Sequence, residues 1–531
     1  MAGLEQSNHT SAPHAQEARG QTDAWWRPFD GLTLAFAAGA PMAAAYFAGP
    51  SPLTAFLLLA GMALAAWNFQ RQEGRRRWTS LVLTLIVWQA GSMGWITAVL
   101  GPELGGAERV AATALLFVLL WALSLGSLLL LGWGVDRLLD GRRAQPLAWP
   151  LAWWIWMVSR DFCWWGGGYG SLSLPLLTLP GLGTWLPLLG PALFEATLWA
   201  LLLAATQPSA TALRRVAGMA LLALALALPS PWTWTAPAGE GLSIAVVETP
   251  PVTAGPSEWT LQARDEALAA IHRTVEVAPT GSLVVTPEGF MPESPPNNAE
   301  GVWGDLLNAL DVHDQRLLLG TSLSHPDPTT SALMNVAMLV TPHGDSRAAS
   351  VYAKQRLAPI GEELPWPALL KPLSDRWLNH ARRVQRQAGP PAMAAPLVTG
   401  GATLGMLLCH EVAFSDGLAA TANGLVHLAS DHWSDDPRSA RQALGLARLR
   451  AIESGKWLLS VSEGQPAQLI DPQGRMRNAQ RVDALPLRQG HTPFVHWRAL
   501  QPIAPLALLA ALLLAARRAR GVTPSLAGIT P

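Results

Sequence analysis

The sequence predicts an α-helical membrane bundle of about eight spans joined to one α/β domain. Three observations predict this fold class: the composition, the spacing of long apolar stretches, and one long segment of ordinary soluble composition. Half of the 531 residues are hydrophobic and 14% are charged, with a mean hydropathy of +0.22. A single soluble domain is rarely so apolar, so membrane-spanning segments are expected.

Apolar stretches long enough to cross a bilayer, which takes about 20 helical residues, fill much of the first 230 residues. The first, second and seventh are short or rich in Ala and Gly. The predicted bundle, residues 31–230, contains the spans 31–49, 52–69, 79–100, 109–132, 147–165, 187–206 and 214–230. A further apolar run at 501–516 precedes a basic segment and is predicted to be the last span.

Charges between the predicted spans indicate how the bundle is oriented. Arginine clusters follow the second, fourth and sixth spans, whereas the alternate connections contain neither Lys nor Arg. Lys and Arg remain on the cytoplasmic side of a membrane, so residues 1–30 and 517–531 are expected to be cytoplasmic tails. Residues 241–495 are then extracytoplasmic. The residues before the first span lack the apolar stretch of a cleavable signal peptide, so none is expected.

The extracytoplasmic segment has the composition of a soluble domain in which short strands alternate with helices. Strands are predicted at 242–248, 282–289, 316–322, 402–409, 425–431 and 456–464, and the clearest helices at 257–275 and 436–455. Strands that alternate with helices are typical of a layered α/β domain.

Overall charge and cysteine content narrow the function only slightly. Lys plus Arg and Asp plus Glu both number 37, so the net charge is zero and no nucleic-acid partner is predicted. The chain has two cysteines, Cys163 and Cys409, which are too few for a disulfide framework. Cys163 lies in a Trp-rich stretch of the fifth predicted span and is expected to be a packing residue.

Three short motifs in the α/β domain contain candidate catalytic residues. Glu288 lies in TPEGFMP, Lys354 and Glu362 lie in YAKQRLAPIGEELP, and Cys409 and Glu411 lie in LLCHE. A cysteine thiol is mostly protonated at neutral pH and needs a neighbouring base or cation to become a nucleophile. A carboxylate can accept its proton, and an ammonium can stabilise the negative charge on an attacked carbonyl. These residue types suit acyl transfer through a thioester.

Each of these residues also has a structural explanation. A cysteine at a strand end is more often a small buried side chain, Glu288 suits a solvated turn, and Lys354 suits an exposed strand. From composition and spacing alone, the domain is only a possible cysteine enzyme.

The order and flanking sequence of these residues resemble a known family. Glu288, Lys354 and Cys409 resemble the Glu-Lys-Cys triad of the nitrilase (carbon–nitrogen hydrolase) superfamily. The motifs TPEGFMP, YAKQRLAPIGEELP, LLCHE and ARLRAIESGKWLLSVSEG resemble those of the apolipoprotein N-acyltransferase family, and the likeness covers nearly the whole chain. The resemblance implies an α-β-β-α sandwich on a bundle of eight spans, placed on the periplasmic face of a bacterial inner membrane.

The resemblance also implies a mechanism and a role for each residue. Glu288 is then the general base, Lys354 helps to form the oxyanion site, and Cys409 is the nucleophile. Glu362 and Glu411 are supporting carboxylates. The acyl donor is a phospholipid, the acceptor is the amino group of a lipidated N-terminal cysteine in a lipoprotein, and neither a metal nor another cofactor is implied.

Residues between Lys354 and Cys409 combine aromatic and basic side chains, a mixture that suits the lipid headgroup boundary. Substrate contacts are therefore predicted at Trp366, Trp377, Arg382 and Arg383, and by resemblance at Trp433. A solvated basic linker explains the region between Lys354 and Cys409 equally well.

Three other functions are compatible with the sequence. A conjugal-transfer-associated relative would use the same chemistry with a different acceptor, and a membrane-tethered amidase would resolve the thioester with water. A non-catalytic membrane assembly protein is disfavoured because all three triad residue types are present. The sequence does not indicate an oligomeric state.

Overall fold

The computed structural model describes most of the chain outside its two ends. The described residues are 31–98, 106–139, 145–161, 167–207, 210–248, 261–291, 302–330, 332–341, 350–359, 362–363, 386–415, 420–430, 434 and 436–521. The predicted contacts Trp366, Trp377, Arg382, Arg383 and Trp433 lie outside these residues, as do Cys163 and the N-terminal tail 1–30.

Every predicted span coincides with a helix. The helices are α1 (Leu32–Ala44), α2 (Pro52–Arg71), α3 (Gly74–Met93), α4 (Gly106–Leu139), α5 (Ala148–Arg160), α6 (Leu182–Ala205), α7 (Ala212–Ala227) and, near the C-terminus, α12 (Ala504–Gly521). Their Ala- and Gly-rich faces pack closely, and a Cβ on Gly61 of α2 would lie 2.6 Å from the Ala38 carbonyl of α1.

Eight spans are predicted, and the described part of the chain contains four or five helical segments of sufficient length and hydropathy to cross a membrane. Among the described residues, four helical segments are long and apolar enough: Pro52–Arg71, Gly74–Ile96, Ala122–Leu139 and Leu182–Ala205. A fifth is obtained if Pro493–Leu500 and Ala504–Arg517, bent by 67°, form one broken span. Helices such as α1 and α5, with 13 residues each, are shorter than a bilayer requires. The count of eight spans therefore stays a prediction.

Helix α6 is broken where a residue from the far end of the chain enters it. Gly190 has φ 66° and ψ 169°, between Pro187 and Pro191. Because a Cβ on Gly190 would lie 2.1 Å from the Phe494 ring, only glycine permits this contact. Phe494 belongs to the short helix α11 (Pro493–Trp497), and Trp497 of that helix donates to the Leu188 carbonyl at 2.7 Å.

The α/β region contains two six-stranded sheets. The strands are β1 (Ala236–Pro237), β2 (Leu242–Val246), β3 (Leu283–Val285), β4 (Arg316–Ser324), β5 (Leu333–Val340), β6 (Ser350–Ala353), β7 (Leu397–Thr399), β8 (Ala402–Leu408), β9 (Gly424–Ser430), β10 (Leu458–Glu463), β11 (Gln468–Ile470), β12 (Met476–Asn478), β13 (Val482–Leu485) and β14 (Arg488–Gln489). The first sheet has the order β13-β2-β3-β4-β5-β6 and the second β12-β11-β10-β9-β8-β7, while β1 and β14 form a separate ribbon.

The two sheets pack face to face between layers of helix. Their shared core contains Ile244 and Val285 from the first sheet and Leu404 and Val426 from the second. The other face of the first sheet packs against α8 (Leu261–Val277) and α9 (Val302–Val312). The second sheet packs against α10 (Pro437–Ser454), and its core there is continuous with that of the helical bundle. This is the predicted α-β-β-α order.

Helix α10 lies between the second sheet and the bundle. The Asp436 carboxylate caps its N-terminus by accepting from the Arg438 N–H at 2.9 Å, and Pro437 occupies the first helical position. Its C-terminus ends at Gly455, whose φ of 67° is typical of a glycine C-cap. All six predicted strands and both predicted helices of this region are confirmed, with small shifts at their ends.

Candidate active site

Glu288, Lys354 and Cys409 come together although they lie far apart in the sequence. Each follows a strand: Glu288 lies just beyond β3, and Lys354 and Cys409 directly follow β6 and β8. The first two belong to the first sheet and Cys409 to the second. The candidate site therefore forms where the two sheets meet.

The Lys354 ammonium lies between two carboxylates. Its Nζ is 2.9 Å from Oε1 of Glu288 and 3.0 Å from Oε1 of Glu362. The Asn335 amide donates to Glu288 at 3.2 Å and also to Glu362, and the Ala358 N–H donates to Glu362 at 2.6 Å. Lys354 is only 1% exposed. These contacts fix the ammonium in one position beside the Glu288 carboxylate.

Glu288 is held in place by the backbone of the neighbouring strand β4. The Thr286 hydroxyl accepts from the Gly320 N–H at 2.9 Å, and the Thr286 N–H donates to the Leu318 carbonyl at 3.0 Å. Gly320 approaches the turn so closely that a Cβ would lie 1.9 Å from the Pro287 carbonyl oxygen. Any larger residue at position 320 would displace the segment that carries Glu288.

Cys409 begins a 3-10 turn, Cys409–Ala413, immediately after β8. Its φ is +45°, and among the described non-glycine residues only Asp314 shares a positive φ. Such a conformation is costly for a residue with a Cβ and is found mainly where function requires it. The turn brings the half-buried thiol within hydrogen-bonding contact of the Glu288 carboxylate.

Electrostatics favour a protonated lysine next to a basic carboxylate. Burial raises the pKa of Glu288, and the nearby Lys354 ammonium opposes that rise only in part. Burial alone would lower the pKa of Lys354, but the charges of Glu288 and Glu362 reverse this effect and hold the pKa well above its ordinary value. Lys354 is therefore cationic at neutral pH, while Glu288 is a stronger base than an exposed carboxylate.

The charges of this site balance during proton transfer. With Lys354 protonated and both carboxylates ionised, the cluster carries one net negative charge. Moving a proton from the Cys409 sulfur to Glu288 leaves that total unchanged and places the new thiolate close to the ammonium. The arrangement can therefore produce a nucleophile without separating charge in a low-dielectric region.

Glu411 connects the two sheets behind the nucleophile. Its carboxylate accepts from the Leu408 N–H at 2.8 Å, the Gln355 N–H at 2.6 Å and the Tyr352 hydroxyl at 3.0 Å. Burial raises the pKa of Glu411 to about 7, and the backbone N–H donors oppose that rise. Since Leu408 precedes Cys409 and Gln355 follows Lys354, Glu411 fixes the separation between nucleophile and ammonium.

Two histidines on the second sheet are buried near Cys409. His427 Nδ1 lies 2.9 Å from the Ser460 hydroxyl, and Nε2 lies 3.3 Å from the Cys409 carbonyl oxygen. His410 stacks on Tyr169 of the bundle. Burial lowers the pKa of both histidines to about 4, so both are neutral at pH 7. They add no positive charge beside the thiol.

Sequence reasoning missed several residues that contact this site. Asn335 interrupts the apolar pattern of β5, which is a signal of a polar role, and Tyr352 and His427 are polar residues in otherwise apolar strands. Tyr169 lies in the bundle, and nothing in the local sequence connects it with the α/β region. Among the residues that the structure describes, no cluster of His, Cys, Asp and Glu has the arrangement of a metal site.

Comparisons with known proteins agree with the motifs. No family model matches the chain. The apolipoprotein N-acyltransferase of Pseudomonas syringae pv. tomato is 28% identical over 438 residues, covering 77% of this chain and 81% of that protein. The apolipoprotein N-acyltransferase of Azotobacter vinelandii is 30% identical over 406 residues, covering 71% of this chain and 73% of that protein.

Both alignments are longer than the α/β region and therefore include part of the bundle. Among solved structures, a carbon–nitrogen hydrolase from Helicobacter pylori G27 matches with 13% identity and a TM-score of 0.30, covering 50% of this chain and 94% of that chain.

Proposed function

Because the chain belongs to the apolipoprotein N-acyltransferase family, we propose that Cys409 carries an acyl chain from a phospholipid to the N-terminal amine of a lipoprotein. The membrane N-acyltransferase function follows from the named relatives, which favour acyl transfer over an amidase or an assembly role. The assignment of that chemistry to Glu288, Lys354 and Cys409 is our proposal.

The observation that carries the proposal is the contact of the Cys409 thiol with a buried ion pair. Glu288 hydrogen-bonds to the thiol and accepts from the Lys354 ammonium at 2.9 Å. A buried lysine paired with two carboxylates is costly to maintain, and a packing cysteine would not need it.

In the first step, the Cys409 sulfur attacks an ester carbonyl carbon of the phospholipid while Glu288 accepts the thiol proton. The Lys354 ammonium stabilises the oxyanion. When the tetrahedral intermediate collapses, the carbon–oxygen bond breaks and Glu288 returns the proton to the departing alkoxide. The products are a lysophospholipid and a thioester on Cys409.

In the second step, the lipoprotein amine attacks the thioester carbonyl carbon. Glu288 accepts a proton from the nitrogen, the carbon–sulfur bond breaks, and the proton passes to the sulfur. The amide product leaves and the free thiol is restored. Glu411 and Glu362 hold the nucleophile and the ammonium in position through both steps.

The proposed location is a bacterial inner membrane, with the α/β region on the periplasmic face. The arginine-rich connections after the second, fourth and sixth predicted spans support this orientation. Labelling of position 409 in intact cells with a membrane-impermeant maleimide tests it, and a thiol protected from the reagent until lysis would reverse the orientation.

The mechanism is tested with purified protein, labelled phosphatidylethanolamine and a diacylglyceryl-Cys peptide. Intact-mass spectrometry should detect an acyl adduct on Cys409 with donor alone, and an acylated peptide when the peptide is added. Cys409→Ala should abolish both signals, whereas Cys163→Ser should retain them. Full turnover by Cys409→Ala would overturn the mechanism, and free fatty acid as the sole product would indicate hydrolysis.

A further inference from the structure

We propose that Tyr169 and Glu195, both from the membrane bundle, are positioning residues that hold the catalytic turn Cys409–Ala413 in its reactive conformation. Tyr169 packs directly on that turn, and Glu195 fixes the loop that carries Tyr169. The inference deepens the proposed function and rests on Cys409 as the nucleophile.

The loop after α5, residues 167–173, lies against the catalytic turn. The Gly168 N–H donates to the Ala413 carbonyl at 2.7 Å. A Cβ on Gly167 would lie 2.7 Å from the Ala413 Cβ, so glycine is needed for this approach. The Tyr169 ring stacks on His410 with a centroid separation of 5.7 Å and an interplanar angle of 10°. The bundle thus contacts the residue that follows the nucleophile.

Glu195 of α6 fixes the same loop from the opposite side. Its Oε1 accepts from the Ser171 hydroxyl at 2.5 Å, and from the Ser173 hydroxyl and N–H at 3.0 and 3.1 Å. Its Oε2 accepts from the Trp153 indole at 3.1 Å. The carboxyl group is completely buried, and all of these partners donate to it.

Further contacts restrain the backbone on both sides of Tyr169. The Tyr46 hydroxyl lies 2.8 Å from the Ser171 carbonyl oxygen, and the Arg160 guanidinium donates to the Tyr169 carbonyl at 2.7 Å. On the α/β side, the Gln442 side-chain amide oxygen, Oε1, accepts from the Gly170 N–H at 3.1 Å. The loop is therefore bonded to both parts of the molecule.

A carboxyl group buried within a helical bundle is expensive, and an apolar side chain would pack there at lower cost. The role that we assign to the buried Glu195 carboxyl group is to hold the loop in one conformation through its hydrogen bonds. Cys409 needs such support because a positive φ at a non-glycine residue persists only when its surroundings enforce it. Without the loop, the turn can relax and withdraw the thiol from Glu288 and Lys354.

The test uses the full-length protein in a Cys163→Ser background, which leaves Cys409 as the single thiol. The variants are Tyr169→Leu, which removes the stacked ring, Tyr169→Phe, which keeps it, and Glu195→Ala, which removes the anchor. The matched control is Thr197→Val in the same helix α6, because the Thr197 hydroxyl donates within that helix to the Leu193 carbonyl at 2.8 Å. Ser171→Ala and Ser173→Ala are milder changes of the same anchor, used if Glu195→Ala fails to fold.

The primary readout is the rate at which iodoacetamide alkylates Cys409 in folded protein, measured against pH. We expect Tyr169→Leu and the anchor variants to be alkylated about tenfold more slowly, with the pH midpoint of the reaction shifted upward. Their kcat for thioester formation should fall with little change in KM, while Tyr169→Phe, which keeps the stacked ring, should fall less than Tyr169→Leu and Thr197→Val should match the parent. Alkylation at the parent rate by folded Tyr169→Leu and folded anchor variants would overturn the inference.

Alkylation needs no lipid substrate, so the two proposals can fail separately. If the parent forms no acyl product but its variants are alkylated slowly, the positioning role is supported and the proposed function is refuted. If the parent transfers acyl chains and its variants are alkylated and form the thioester at the parent rate, only the positioning role is refuted.

Discussion

The two sheets of the α/β region differ in the charge that they bring to the site. The first sheet carries Glu288 and Lys354, with Glu362 close by, whereas the second carries a thiol and the histidines His410 and His427. Burial lowers the pKa of both histidines to about 4, so they remain neutral at pH 7. The charged residues are thus on one sheet and the proposed nucleophile, Cys409, follows a strand of the other.

This division is the reason why we expect the proposed nucleophile to depend on the first sheet. A histidine cation beside Cys409 would stabilise the thiolate without help from the first sheet, and here both histidines are neutral. The thiol instead depends on Glu288 and Lys354 across the interface between the sheets. The geometry of that interface therefore controls reactivity, and its components can be tested separately.

The largest effect is expected from Lys354→Met, which removes the cation shared by two carboxylates. Thioester formation should fall by at least about 10²-fold because the oxyanion loses its stabilising charge. The free energy of unfolding should fall by about 3–5 kcal/mol because Glu288 and Glu362 are left buried and unpaired. Thioester formation followed by mass spectrometry and denaturation in detergent measure the two quantities.

The double variant Lys354→Met with Glu288→Gln sharpens this prediction. Removing both charges should recover part of the lost stability but none of the activity, since the base is also missing. If the losses in stability from the two single variants simply add, the ion pair is not coupled in the folded protein.

Glu411→Gln is expected to have the next largest effect, because Glu411 joins the sheets. Both carboxylate oxygens of Glu411 accept hydrogen bonds. In the Gln variant an amide NH2 group replaces one of them and would face the N–H groups of Gln355 or Leu408. A lost hydrogen bond to a charged group costs about 1.5–3 kcal/mol, so thioester formation should fall about 10- to 100-fold. Unchanged kinetics would show that the two sheets keep their separation without this carboxylate.

A smaller effect is expected from Glu362→Gln, which leaves one oxygen to accept from Lys354. The rate of thioester formation should fall about tenfold, because the amide keeps one acceptor but lacks the charge. The exposed neighbour Glu363 provides a matched control, and Glu363→Gln should behave as the parent. Equal effects of the two substitutions would contradict the specific role of Glu362.

The last prediction concerns the pH dependence of stability, and not the rate of thioester formation, in His410→Phe. The pKa of His410 is about 4 in the folded protein and ordinarily 6.5. Between these values the unfolded chain binds more protons, so His410 makes the parent lose stability as pH falls from about 6.5 to 4. The Phe variant keeps the ring and should lack this contribution, gaining at most about 3 kcal/mol relative to the parent by pH 4.

Thermal unfolding at several pH values measures the difference between these two proteins. That difference separates His410 from Glu411, whose raised pKa acts in the opposite direction, since stability is lost as pH rises towards about 7. A difference in Tm that stays constant between pH 4 and 6.5 would contradict a buried neutral histidine.

The strands were predictable because their signals are local, and the roles of the triad residues stay a prediction. Short apolar runs define β2, β3 and β8, and Glu288, Lys354 and Cys409 lie in distinctive motifs at strand ends. The contacts of Asn335, Tyr169 and Gly320 were not predictable, because each depends on a partner distant in sequence. The count of eight membrane spans stays a prediction. Four or five helical segments in the described part of the chain meet the length and hydropathy criteria, and apolar composition alone does not distinguish a short packed helix from a full span.

The break in α6 has a consequence for how the protein is completed during synthesis. Phe494 occupies the gap at Gly190, and the neighbouring Thr492 hydroxyl bonds to the Glu453 carbonyl of α10. All of the proposed catalytic residues precede Phe494 in the sequence and are translated before it. A nascent chain that stopped short of Phe494 would thus contain every proposed catalytic residue but would lack the ring that fills the break in α6.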